Sequence, residues 1–127
     1  MFATGIQQNL QAHHYLRGDF GEESQPHSHP YRVKLICRSS SRDENGFSTN
    51  IDLLESSLSN ALEKIDQVLL NDLPFFKNRQ PSLENLCVYI FRSLETKVGD
   101  SVQEIEIKIW ESPHAWASYI GAPSSAE

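Results

Sequence analysis

The segment that most constrains this fold is a run of alternating residues that follows a pair of histidines. From about residue 30 to residue 38, apolar side chains alternate with mostly charged ones, at Tyr31, Val33, Leu35 and Cys37. A period of two is typical of a strand with one buried face. His27 and His29 continue the same parity, so we expect both imidazoles on the core-facing side of the chain.

Three further segments have strand patterns. The first, about residues 2–16, carries on one face Leu10, Ala12 and His14. The third, residues 102–111, carries on one face Ile105, Ile107 and Ile109. A short fourth segment covers about residues 115–120 and closes the predicted sheet.

Two helices are predicted between the second and third strands. Helix one should begin at Asp52 as N-cap, with Glu55 three residues later as its capping-box partner. Helix two should open at Pro81-Ser82, and Gly99 is a reasonable stop. The order ββααββ predicts an α+β fold, an antiparallel sheet with two helices on one face.

Length and charge limit the class of protein. A chain of 127 residues fits one core, so we assign residues 1–121 to a single domain and residues 122–127 to a loose C-terminal tail. The net charge of −6 argues against nucleic acid as a partner. Neither a membrane span nor a signal peptide is expected. Two cysteines 50 positions apart, Cys37 and Cys87, favour a reducing cytoplasm.

Three histidines are candidates for one metal site. Two imidazoles side by side in an apolar setting are costly as cations and unsatisfied as neutral rings, and a metal ion resolves both problems. His14 shares a strand face with Leu10 and Ala12, whereas His13 points the opposite way, so parity favours His14 as the third ligand. Three histidines and an open fourth position are typical of catalytic zinc. The alternative is a pair of loop histidines without a metal.

Two glutamates are candidates for chemistry beside such a metal. Glu111 continues the apolar face of the third strand. It either grips a ligand with adjacent N–H donors, such as the edge of a pterin or guanine, or turns into solvent. Glu23 lies four residues before His27 and is either a general base or a solvated loop acid. Asp66 and Ser82 by themselves are expected to be solvated or to cap helices.

These landmarks together resemble the 6-pyruvoyl-tetrahydropterin synthase family over nearly the whole chain. His14 is similar to the family's first zinc ligand, and His27-Ser28-His29 matches its His-x-His motif. Pro81-Ser82-Leu83-Glu84-Asn85 is similar to its Pro-Thr-x-Glu-Asn helix start. Glu111-Ser112 is similar to its Glu-Thr motif, in which the glutamate anchors the pterin ring.

The resemblance implies a tunnelling fold, in which strands join across subunits into a barrel, usually in a dimer of trimers. We therefore expect a homo-oligomer, a trimer or a dimer of trimers, with Zn²⁺ as cofactor and a small-molecule pterin as substrate. The implied zinc ligands are His14, His27 and His29. The implied substrate-binding residues are Glu111 and Ser82.

The implied catalytic residues are Glu23 and Asp66. Glu23 stands where the family usually has a cysteine, and the sequence resembles the branch with glutamate there. Asp66 aligns with the aspartate of an Asp-His pair, but Gln67 stands at the histidine position, and glutamine cannot shuttle a proton near neutral pH.

The leading functional hypothesis is a zinc-dependent lyase of folate biosynthesis. It would act on 7,8-dihydroneopterin triphosphate to give 6-hydroxymethyl-7,8-dihydropterin. The enzymatic alternatives are 6-pyruvoyl-tetrahydropterin synthase chemistry and the queuosine-pathway carboxy-tetrahydropterin reaction. A non-catalytic pterin- or purine-binding protein, favoured by Gln67, and a scaffold without metal are the alternatives from other classes.

Overall fold

The sheet has four antiparallel strands in the order β1-β2-β3-β4. In the computed structural model, which describes residues 1–124, these are β1 (Phe2–His14), β2 (His27–Ser39), β3 (Glu104–Trp110) and β4 (Trp116–Gly121). Both helices lie in the connection between β2 and β3. The predicted ββααββ order and antiparallel sheet are confirmed.

One face of the sheet forms the core, as the alternating pattern predicts. Leu35 on β2 stands between Ile6 of β1 and Ile107 of β3. Leu35 and Ile107 have no exposed surface, and the same holds for Val33 and Ile109 in the next matched pair. The register is thereby fixed, since a slip by one residue would turn every one of these side chains to the other face.

Two helices cover that apolar face. α1 (Ile51–Glu63) packs against β1, and α2 (Leu83–Leu94) packs against β3 and β4. The predicted N-cap of α1 is wrong. Asn50 caps the helix by accepting the N–H of Leu53, and Asp52 lies in the first turn, where its charge favours the positive end of the helix.

The edge of β1 near its end is covered by the segment that follows α1. Gln67 donates its backbone N–H to the carbonyl of Gln11 at 2.6 Å, and His13 donates its own to the carbonyl of Val68 at 2.9 Å. Gln67 has a positive φ of 64°, a left-handed conformation that costs a non-glycine residue about 1–3 kcal/mol. Tertiary hydrogen bonds therefore fix this turn beside the end of β1.

The ends of several segments differ slightly from the predicted ones. The first strand ends at His14, because Tyr15 donates its N–H to the side chain of Asn71. The second strand begins at His27, and Pro30 is accommodated opposite Gln11. Of the predicted tail, residues 125–127 lie outside the described residues. Within residues 1–124, no helix is long and apolar enough to cross a membrane.

Candidate metal centre and ligand groove

Three histidines meet where β1 ends and β2 begins. His14 pairs with His27 and Ala12 pairs with His29 in the antiparallel ladder, which places all three rings on the core-facing side. The ring centroids of His14 and His27 are 4.5 Å apart, and that of His29 is 5.9 Å from both. The structure therefore brings together the three predicted ligands, and His13 is not part of the cluster.

Backbone carbonyls determine the tautomer of two of these rings, those of His14 and His27. The Nδ1 atom of His14 lies 2.9 Å from the carbonyl oxygen of Pro81, and that of His27 lies 2.8 Å from the carbonyl oxygen of Gln25. A carbonyl oxygen can only accept, so both Nδ1 atoms donate, and in the neutral rings Nε2 keeps a lone pair. Metal-ligating histidines typically donate their second nitrogen in this way.

The inward-facing ring nitrogens have no hydrogen-bond partner. His14 Nε2, His27 Nε2 and His29 Nδ1 are buried and unpaired among the residues that the structure describes. A buried polar atom without a partner costs about 1–3 kcal/mol. Burial, opposed in part by the Pro81 carbonyl, lowers the pKa of His14, which favours the neutral ring that a metal needs. These residues fit a divalent metal with imidazole ligands.

Glu23 adds a carboxylate to this cluster. It lies on a 3-10 turn, Gly21–Ser24, and its Oε2 is 3.1 Å from His27 Nε2. The donor atoms of His14, Glu23 and His27 all lie within 4.8 Å of one another. His29 does not belong to this set, because its ring nitrogens are not within 4.8 Å of all three of the other donor atoms.

A groove that neighbours the histidine cluster through Tyr31, although none of the three histidines lines it, contains two of the other predicted site residues. It has a volume of about 680 Å³, and Glu111 and Asp66 both line it. Tyr31 joins the groove to the cluster, because it lines the groove and stacks on His29 at 5.2 Å between ring centroids. Sequence reasoning missed this link, although the strand parity of Tyr31 relative to His29 signals it.

Two carboxylates act on the phenol of Tyr31. Burial raises the pKa of its phenol well above the usual range, and the charges of Glu111 and then Glu23 raise it further. Glu111 is partly buried just past the end of β3, with its N–H donated to the carbonyl of Ala115 at 3.0 Å. Both glutamates therefore lie within electrostatic reach of one buried side chain.

Asp66 and Ser82 have structural partners. Asp66 Oδ1 accepts the backbone N–H of Gln11 at 3.1 Å, so this carboxylate is held at the edge of β1. Ser82 Oγ accepts the N–H of Asn85 at 3.2 Å and caps α2. Ser82 is not among the residues that line the groove. Its predicted contact with substrate stays a prediction.

A second hollow of about 690 Å³ lies at the far end of β2, beside the start of α1. Ser41, Thr49 and Asp52 line it, and none of the predicted site residues does. The groove that Tyr31 joins to the histidines is the stronger candidate, because two of the predicted site residues line it.

The fold and the cluster define a class: an α+β tunnelling-fold domain with a histidine-rich candidate metal centre. Residues 5–122 match the family described as 6-pyruvoyl tetrahydropterin synthase, and the chain belongs to this family. A 6-pyruvoyl tetrahydrobiopterin synthase of Drosophila melanogaster is 30% identical over 97 residues. That match covers 75% of this chain and 58% of the fly protein, which is less than two thirds of the relative's length.

Solved structures show the same architecture. The 6-pyruvoyl tetrahydropterin synthase of Caenorhabditis elegans superposes with a TM-score of 0.83 at 23% identity, covering 95% of this chain and 96% of that one. The Plasmodium vivax protein of the same name gives 0.76 at 16% identity, covering 96% and 99%. At these identities the likeness establishes the fold.

Proposed function

We propose that this protein is a zinc-dependent lyase that converts 7,8-dihydroneopterin triphosphate into 6-hydroxymethyl-7,8-dihydropterin. The observation that carries the proposal is the set of unpaired, buried ring nitrogens of His14, His27 and His29, with the carboxylate of Glu23 beside them. The groove of about 680 Å³ falls within the range of about 300–1,000 Å³ that is usual for small-molecule sites.

The three histidines would hold the zinc. When bound, zinc supplies a Lewis acid that lowers the pKa of a side-chain hydroxyl on the substrate. Glu111 would accept hydrogen bonds from the adjacent N–H groups of the pterin ring. Such charge-assisted bonds are roughly twice as strong as neutral ones, so this single residue can fix the orientation of the ring.

Glu23 would act as the general base. It takes the proton from the hydroxyl on the second side-chain carbon, and the bond between the first and second carbons then breaks. The second carbon leaves as an aldehyde, and the bonding electron pair passes into the conjugated ring. Protonated Glu23 returns the proton to the first carbon. Asp66, the second proposed catalytic residue, lines the groove, and its Oδ1 also accepts the N–H of Gln11 at the edge of β1.

Two comparisons bear on this choice. The Drosophila relative is named a 6-pyruvoyl tetrahydrobiopterin synthase, which supports a pterin substrate but does not select this product. Solved structures of the Plasmodium vivax protein include glutamate-to-alanine and glutamate-to-cysteine variants of a position described as a catalytic residue. Here Glu23 stands where most of the family has cysteine, which favours the lyase over 6-pyruvoyl-tetrahydropterin synthase or carboxy-tetrahydropterin synthase chemistry.

The second candidate is a pterin-binding protein without turnover, and Gln67 favours it. The side chain at this position is exposed and cannot exchange a proton near neutral pH. The left-handed backbone there accommodates histidine better than most residues, so Gln67→His is a structurally tolerable probe. If the wild type binds but does not turn over, and Gln67→His restores turnover, the binding-only function is supported.

The deciding experiment is incubation of the zinc-loaded protein with 7,8-dihydroneopterin triphosphate and identification of products by mass. We expect 6-hydroxymethyl-7,8-dihydropterin from the wild type. Glu23→Gln should abolish it, whereas Glu22→Gln, the same charge change one residue away, should not. A pyruvoyl or carboxy product would assign a different reaction, and equal activity of Glu23→Gln would refute the role of this base.

The protein would work in the cytoplasm as a homo-oligomer, a trimer or a dimer of trimers. Cys37 and Cys87 are both free and buried, which fits a reducing compartment. β4 forms one edge of the sheet and exposes Trp116 and Ile120 by 53% and 51%. A second copy pairing there would remove the open edge. Light scattering of the purified chain tests this, and a monomer at micromolar concentration would contradict it.

A further inference from the structure

The carboxylate of Glu23 lies 3.1 Å from His27 Nε2, yet this nitrogen has no hydrogen-bond partner among the described residues. We propose that the Glu23 carboxylate is itself the fourth ligand of the resting metal site, and that it must leave this position before the site can act. This inference rests on the metal centre of the proposed function. Glu23 would then have two roles. It is a metal ligand in the resting site and a general base when substrate is bound.

Two acceptor atoms lie close together here without a hydrogen bond between them. Glu23 Oε2 lies 3.1 Å from His27 Nε2, yet this nitrogen forms no hydrogen bond within residues 1–124. The oxygen therefore lies off the direction in which an N–H would point. Because Nδ1 of His27 already donates to the Gln25 carbonyl, Nε2 of the neutral ring has only a lone pair to offer.

A shared cation relieves the repulsion between these two atoms. In a tetrahedral zinc site with bonds of about 2.0–2.1 Å, neighbouring donor atoms stand about 3.3–3.4 Å apart. The separation of 3.1 Å between Glu23 and His27 is close to that value. His14 completes a set within 4.8 Å, and its own Nε2 is likewise unpaired.

The backbone presents the carboxylate at this position. The carbonyl of Glu23 accepts the N–H of Leu16 at 2.7 Å, which anchors the turn to the chain just after β1. Ser24 Oγ donates to the carbonyl of Gly18 at 2.7 Å and accepts the N–H of Phe20 at 2.9 Å. The loop is thus closed by its own hydrogen bonds, which hold the backbone of Glu23 close to the histidine cluster.

The side chain remains free to move although its backbone is fixed. It is 55% exposed, so it can turn into water without breaking a core contact. An ordinary ion pair between Glu23 and a protonated His27 is the rival explanation. Pairs this exposed contribute only about 0–1 kcal/mol, and that pairing would give the carboxylate no effect on metal affinity beyond its charge.

Metal affinity separates the two explanations, and it requires no pterin. Zinc and cobalt dissociation constants would be measured by competition with a chromophoric chelator for the wild type, Glu23→Gln and the matched control Glu22→Gln. Loss of an outer-shell partner already weakens metal binding about 10–100-fold, so loss of a direct ligand should weaken it at least tenfold. The visible spectrum of the cobalt protein should also change in Glu23→Gln and stay unchanged in Glu22→Gln.

Displacement is tested with acetohydroxamate, a small oxygen-donor ligand. It should bind the cobalt form of Glu23→Ala about tenfold more tightly than the wild type, because its internal competitor is gone. Glu22→Ala should match the wild type. Equal metal affinity and spectra for wild type and Glu23→Gln, or equal losses in both glutamine variants, would overturn the proposal. These measurements of metal and acetohydroxamate binding do not depend on whether the protein turns over a pterin.

Discussion

Metal binding should stabilise the whole fold, because the proposed ligands sit on two paired strands. His14 ends β1, His27 begins β2, and the two are opposite each other in the ladder. A ligand that binds only the folded state at 100 times its Kd adds about 2.7 kcal/mol. For a chain of 127 residues, each kcal/mol raises Tm by about 4 °C, so zinc should raise Tm by about 10 °C.

The assay is thermal unfolding with saturating zinc and with a chelator, and His14→Ala is the test variant. The variant loses the buried imidazole and leaves the Pro81 carbonyl unpaired, which destabilises the metal-free protein by about 1–3 kcal/mol. The metal-dependent increment is measured within each variant, so this loss cancels. His13→Ala, on the opposite strand face, is the matched control. A wild type with equal Tm in zinc and chelator would refute the reasoning, as would a full increment in His14→Ala.

Three further predictions concern the groove, a helix cap and the thiols. Glu111→Gln should weaken pterin binding about tenfold or more, the equivalent of a charge-assisted hydrogen bond of about 1.5–3 kcal/mol; fluorescence titration with an unchanged zinc Kd checks it. Ser82→Ala should lower the free energy of unfolding by about 1 kcal/mol, and Ser82→Asp should not, as measured in urea, because Oγ only accepts the Asn85 N–H. Burial raises the pKa of Cys37 and Cys87 to about 12, so a thiol reagent at pH 8 should leave the native protein unlabelled. The stability that comes from keeping both thiols neutral is present below their ordinary pKa and is lost as the pH rises toward 12, which alkaline unfolding would reveal.

The strands were predictable because their pattern is imposed by burial. Val33, Leu35 and Cys37 have no exposed surface, and a period of two admits one assignment of faces. The same parity correctly placed His14 rather than His13 in the cluster. These are local properties of an extended chain, so they can be read without knowledge of the partner strand.

The helix start was less predictable because two residues competed for one role. Asn50 and Asp52 are both good N-caps, and the capping box with Glu55 favoured Asp52. The structure selects Asn50, whose side chain accepts the N–H of Leu53, and the loop before it is held by a 2.8 Å hydrogen bond from Ser101 Oγ to the Ser48 carbonyl.

The site could be predicted as a set of residues but not as an arrangement. Glu23 and His27 are close in sequence, so their contact was within reach of local reasoning. Glu111 and Asp66 share a groove only because β3 returns beside β2 and the turn after α1 docks on β1. Tyr31 links that groove to the histidines by stacking on His29. Long-range pairing sets these relations, and no single segment encodes them.

A carboxylate at position 23 has a consequence for the proposed metal site itself. A thiolate is a soft ligand with high affinity for zinc, whereas a carboxylate is harder and suits a wider set of divalent ions. A ligand that must leave before catalysis should bind weakly enough to exchange. Glu23, on an exposed turn held by its own backbone contacts, meets that requirement better than a buried thiolate would. The hydroxyl from which this carboxylate would take a proton is ordinarily far less acidic than a carboxylic acid, so the acidity that zinc would give the hydroxyl must supply most of the driving force.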